Sequence, residues 1–140
     1  MVTVLKNKHL CMQFDAASNF MESIWTTSLL MDDESYRQLV LSYLQQLQIY
    51  RPQRVLVDSR NAEYIITPDL QDWINVNIYP QSAAAGVRKL AFLVSNDIFV
   101  TISIEQTVED SMANDIISTQ MQQRFFDDRE QALNWLLQEK

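Results

Sequence analysis

The sequence predicts an α/β fold in the order β-β-α-β-α-β-α-β-α, and three observations predict it. The runs RVLVD at 54–58 and KLAFLVS at 89–95 have the unbroken apolar character of strands covered on both faces. Between such runs, apolar residues recur every three and four positions, the spacing of one-faced helices. The chain has 140 residues, 47% apolar and 21% charged, which suits one globular domain over 1–140. A chain of this length buries roughly 68% of its extended surface on folding, so its core needs no staple. Strands alternating with helices imply a mostly parallel sheet with right-handed crossovers.

Each element has its own signal. Leu10 to Phe14 and Phe20 to Thr26 are short strand-like runs, and the polar stretch from Asp15 to Asn19 between them marks a hairpin. Asp32 and Asp33 offer a cap and a dipole partner to a helix whose stripe is Tyr36, Leu39, Val40, Tyr43, Leu44, Leu47 and Tyr50, and Pro52 ends it. Arg54 to Asp58 follows as a strand. Thr67, Pro68 and Asp69 then start a helix, because a capping hydroxyl, a first-turn proline and an early acid all suit unpaired N–H groups. Leu70, Trp73, Ile74 and Asn77 form its inward stripe. After Pro80 and a run of small residues, Lys89 to Ser95 is the next strand. The segment from Ile98 is ambiguous, since Ile98, Val100, Ile102 and Ile104 alternate with period two while the polar run from Glu105 suits a helix; the helix is placed over 103–114. Met121 to Phe126 is the last strand. Asp127 and Glu130 have capping-box spacing for a terminal helix that buries Ala132, Leu133, Leu136 and Leu137, with Trp135 at its margin.

The scarce residues exclude whole classes of chemistry. Gly86 is the one glycine, so neither a dinucleotide-binding G-x-G-x-x-G turn nor a phosphate loop can be written. One cysteine, Cys11, and one histidine, His9, rule out a disulfide within the chain and the usual zinc sets. His9 has no third group to orient it as a base for Cys11, and Cys11 lies in an apolar run where a buried thiol is the ordinary state. Lys and Arg number 11 against 18 Asp and Glu, a net charge of −7 that opposes nucleic acid and anionic membrane surfaces. No apolar run reaches the ~18 residues of a membrane span. Lacking an export signal and carrying a lone thiol, the protein is expected in the cytoplasm. The acids grouped at 32–34, 105–110 and 127–130 are explained by helix starts and solvated faces.

In their order and spacing, the motifs LVDSR, TPDLQDWI, GVRKLAFLVS and FFDDREQALNWL, with Trp25 ahead of MDDESYRQL, resemble the bacterial STAS-like or SpoIIAA-like proteins. The resemblance runs from Leu10 to Leu137. It implies a SpoIIAA-like βα superhelix of four or five strands preceded by an antiparallel strand. Relatives of that fold serve as regulatory protein-binding domains, transporter appendages or, in the CRAL-TRIO branch, lipid carriers. The regulatory branch phosphorylates a serine at the start of the helix after the third strand, in a D-S-x-G-like context. Here that position reads Ile66, Thr67, Pro68, Asp69, without serine or glycine, so Thr67 is expected to act as a cap rather than a switch.

Asp58, Ser59, Arg60 and Asn61 form the densest polar cluster at a strand exit, which is where ligands usually meet α/β sheets, and they are the binding-site candidates. The alternative is structural: Asp58 capping a turn and Arg60 pairing with an acid on a neighbouring helix. No residue is assigned a catalytic role, no cofactor or metal is expected, and a hydrolase would have to work through Asp58, Ser59 or Arg60 without histidine. The expected function is therefore a non-enzymatic cytoplasmic interaction or regulatory domain. The alternative is a carrier or sensor of a small apolar or lipid-like ligand, held between sheet and helices by aromatics such as Phe99, Phe125 and Tyr79. The expected partner is another protein or a second copy, with a homodimer through the hairpin bearing Phe20, Ile24 and Trp25, unless the terminal helix or N-terminal segment covers that surface.

Overall fold

Central strands of this chain carry apolar residues on both sides, and a sheet sandwiched between helices is what buries them. The computed structural model describes residues 1–138 and is α/β. The strands are β1 (Val2–Lys6), β2 (Leu10–Asp15), β3 (Phe20–Trp25), β4 (Arg54–Asp58), β5 (Lys89–Leu93) and β6 (Gln122–Phe126). They lie side by side in chain order in one mixed sheet of six strands. β1 and β2 and then β2 and β3 pair antiparallel, whereas β3 through β6 are parallel. The expected four or five strands are thus exceeded by β1. This edge strand was not legible because its residues are half-buried or exposed, and its register slips between Thr3 and Leu5, so no period-two pattern survives.

The helices are α1 (Asp33–Tyr50), α2 (Pro68–Asn77), α3 (Tyr79–Ala85), α4 (Ile98–Met112), α5 (Asp115–Gln120) and α6 (Arg129–Leu136). α1 begins as its sequence dictates, with the Asp32 carboxylate accepting from the Ser35 amide at 2.7 Å, and buries Tyr36, Leu39, Val40, Tyr43, Leu44 and Leu47. α2 starts on the Thr67 hydroxyl, which accepts from the Leu70 amide at 3.4 Å. Its inward stripe is Leu70, Gln71 and Ile74; Trp73 is only half-buried, with the Arg37 guanidinium 5.4 Å from its ring, and Asn77 is exposed. α3 was unforeseen, since its seven residues are too few to show a period, and Gly86 ends it at φ 110°, a conformation glycine adopts without strain.

α4 starts at Ile98 and not near Ser103, because the Asp97 carboxylate caps the Phe99 amide at 2.8 Å and the period-two pattern of isoleucines is accidental: Val100 is buried while Ile98 and Ile102 are exposed. α6 is capped one residue later than the predicted box. Asp128 accepts from the Glu130 amide at 3.0 Å, which turns Ala132 and Leu136 inward and leaves Leu137 exposed.

The helices divide unequally between the two sides of the sheet. Residues of α1 to α5 pack with Met12, Met21, Val55, Leu90 and Phe92 in the larger core. On the opposite side Phe20, Leu56, Ala91 and Leu93 meet only Ala132 and Leu136 of α6, with Leu133, Trp135 and Phe126 at the margin. Among the described residues no helix is long and apolar enough to cross a membrane.

Candidate functional site

An apolar chamber of about 110 Å³ lies inside the larger core, between the sheet and the helices α1 to α4. Its walls follow from local sequence. Strand alternation turns Trp25 and Phe92 to this side, and helical spacing sends Tyr36, Val40 and Tyr43 down from α1. The segment after β4 supplies Tyr64 and Ile66 and is held by backbone bonds at each step. The Ser59 amide donates to Leu93, Glu63 donates to Thr27, the Tyr64 amide reaches the Thr27 hydroxyl, and Ile66 donates to the Ser103 hydroxyl. This bracing seats the Tyr64 ring 4.2 Å from that of Tyr36, nearly parallel, with its hydroxyl donating outward to the Asp33 carboxylate. Trp25 packs 5.3 Å from Tyr43 and donates from Nε1 to the Ser23 hydroxyl, which itself donates to the Leu56 carbonyl.

Among the described residues no charged side chain lines the chamber; its polar side-chain groups are hydroxyls and the Trp25 indole N–H. Burial pushes the phenols of Tyr36, Tyr43, Tyr64 and Tyr79 well above the ordinary tyrosine range, so all four are neutral donors and acceptors at physiological pH. Tyr79 is tied off by donating to the Gln123 side chain at 2.6 Å.

The strand-exit candidates do not converge on one site. Asp58 faces the α6 side and is buried. Its carboxylate accepts from the Arg60 backbone at 3.1 Å and from the Arg60 guanidinium at 3.0 and 2.8 Å, which holds that guanidinium above its ordinary range. Ser59, one residue on, is buried and borders the chamber on the opposite side of the sheet. Asn61 is exposed. Arg60 therefore pairs with Asp58 itself rather than with an acid on another helix. A second carboxylate lies beside this pair: buried Glu22 of β3 accepts from Arg129 of α6 at 2.9, 3.0 and 3.1 Å. Glu22 adds to the field that raises Arg60, so the four groups make a charge-balanced cluster that clips α6 to the sheet.

Of the aromatics expected to line a ligand space, Tyr79 does so, Phe125 stacks behind the wall at 4.9 Å from Phe92, and Phe99 is 64% exposed. Sequence reading missed Tyr36, Tyr43 and Tyr64 as a group, because α1 and a loop contribute them separately. Trp25 and Phe20 are buried, beneath α1 and in the α6 core respectively, so the hairpin does not offer these rings to a second copy. His9 meets the Thr26 carbonyl through Nδ1 at 3.1 Å, and Cys11 is a half-buried free thiol. Among the described residues no three His, Cys, Asp or Glu stand together as a metal site. No family model, curated protein or solved structure matches the chain.

Proposed function

We propose that this chain is a non-enzymatic binding domain that holds a small apolar molecule between its sheet and helices and acts as its carrier or sensor. The observation that carries the reading is the aromatic-walled chamber of about 110 Å³ with no charge in its lining. Small-molecule sites are of this kind, concave and apolar with a few placed polar groups. Close-packed interiors seldom leave such a space without reason. The volume favours a small ligand over a lipid-like one. The STAS-like and SpoIIAA-like resemblance supports a binding role, since the better-known relatives of that fold act as regulatory protein-binding domains, transporter appendages or lipid carriers. The test is a methyl NMR titration with a panel of small uncharged apolar compounds. Shifts at Val40, Val57 and Ile74 are expected for at least one compound, and an unmoved spectrum across the panel overturns the reading.

A second reading, a regulatory domain that docks a protein partner or a second copy of itself, is favoured by one surface. Ile98, Phe99 and Ile102 share a face of α4 and are 66%, 64% and 40% exposed. This surface takes the place of the Trp25 hairpin as the candidate interface, and light scattering across a micromolar dilution series tests it.

A further inference from the structure

We infer that the chamber selects an uncharged, ring-sized molecule bearing one hydrogen-bonding group, a phenol in type, and that Tyr36 and Tyr43 are the residues that recognise that group. The inference rests on the ligand-holding reading and narrows it to a class. Three observations carry it. First, both tyrosines are 8% exposed and line the chamber, yet among the described residues neither hydroxyl has a hydrogen-bond partner; burial is the first cause raising each phenol, and no hydrogen bond contributes. Among the described residues, Asn75 Oδ1 is the only fully enclosed side-chain polar atom left without a partner. The two hydroxyls therefore have open space beside them, and the space their rings border is the chamber. Buried hydroxyls are ordinarily bonded, so a ligand that brings a hydrogen-bonding group to these two is held better than one of the same shape without it.

Second, size. An apolar cavity of roughly 150 Å³ accepts a benzene ring, and this one, at about 110 Å³ and partly open, suits about one ring. Third, charge. With no cation or anion in the wall, a carboxylate, phosphate or ammonium entering it is stripped of water without a counter-ion, which costs far more than two hydroxyls return. Tyr36 and Tyr43 stand seven residues apart on α1 and both pack on Trp25, with ring centroids 6.4 and 5.3 Å from its ring, so the two phenols border one part of the wall and suit one polar group rather than several.

The experiment is a titration of the full chain with phenol, benzene and benzoate, read by NMR, on wild type and on Tyr36→Phe, Tyr43→Phe and the double variant. Phenol is expected to bind wild type more tightly than benzene, and benzoate not to bind. In the double variant phenol should weaken by about 5- to 10-fold, the worth of one ordinary hydrogen bond, while benzene changes less than about twofold. Equal binding of phenol and benzene to wild type, or phenol binding indifferent to both substitutions, overturns the tyrosine assignment while leaving an apolar site. Benzoate binding as tightly as phenol overturns the uncharged class. Failure of phenol and benzene alike removes the ligand-holding reading with it. The wild-type comparison stands on its own if a variant does not fold.

Discussion

Trp25 and Trp73 carry the same indole into different surroundings, and that difference sets what each is worth. Trp25 is 8% exposed beneath α1, so Trp25→Ala should cost about 3 to 5 kcal/mol, the usual range for deleting a core aromatic. Trp73 shares its ring with solvent and Arg37, and Trp73→Ala should cost about 1 to 2 kcal/mol, a fraction of that range; urea midpoints of the two variants decide the order. Glu22 and Arg129 test a different cost. Arg129→Ala strands a buried carboxylate and should destabilise by about 1 to 3 kcal/mol, less than for a fully buried pair because Arg129 is 41% exposed. Replacing both, as Glu22→Leu with Arg129→Met, should cost less than the single change, and a double-mutant cycle in urea reads it. The buried tyrosines set an alkaline limit. Their folded values are raised above the ordinary 10.0, so the stability they contribute is whole below about pH 10 and is lost as pH climbs above it, at up to ~1.4 kcal/mol per pH unit for each group. Lys89, which burial pushes below its ordinary 10.5, works in the opposite sense: its cost to the fold is relieved as pH rises through its folded value. With four raised phenols against one lowered amine, unfolding above about pH 10 should release tyrosinate in one cooperative step, visible in ultraviolet absorbance.

Among the elements, α6 matters most for its size: of the described residues, its eight are the whole helical cover of one side of the sheet. Asp128→Ala removes the cap that starts it and should cost about 1 kcal/mol, with amide exchange accelerating at Ala132 and Leu136 before the α1 core responds. What could be read in the sequence was what local physics dictates alone. β4 needs only its β-branched run, and α1 and α2 need only a cap and a stripe, so their limits were legible to within about three residues. The start of α4 was not, because four isoleucines and valines at period two imitate a strand and only the Asp97 cap, a single side chain, decides against it. α3 and β1 were too short or too exposed to carry a period. The chamber was invisible for another reason: its aromatic walls come from β3, α1, the segment after β4, α3 and β5, and no spacing relates them. Glu22 and Arg129 stand 107 residues apart, beyond any motif. The polar cluster at 58–61 was visible as a cluster, but the alternation of side chains at the strand end sends Asp58 and Ser59 to opposite sides.

For the whole molecule, self-association separates the two surfaces that sequence and structure put forward. Light scattering across a micromolar dilution series reads the mass. If α4 forms an interface, Phe99→Ser shifts a dimer to monomer, with the urea midpoint unmoved at dilutions where wild type is itself monomeric, since an exposed ring contributes little to the fold of the single chain. Trp25→Glu, in contrast, should unfold the chain rather than dissociate it, because a carboxylate placed among Tyr36, Tyr43 and Trp25's other neighbours has no counter-ion. Monomer mass at every dilution for wild type removes α4 as a self-association surface.

Strands laid down in chain order have a consequence for birth on the ribosome. Each strand emerges next to the one it will pair with, so the sheet can grow at one edge as synthesis proceeds, over on the order of 10 s for a chain of this length. The α1 to α4 side can close progressively, as each helix follows the strand it covers. The other side cannot. Phe20, Leu56, Ala91 and Leu93 stay wet, and Glu22 stays without its guanidinium, until α6 is released as the last described element. The nascent chain thus carries an apolar strip until α6 follows the other described elements out of the exit tunnel, and that helix is the one that removes it from the reach of chaperones and of neighbouring chains.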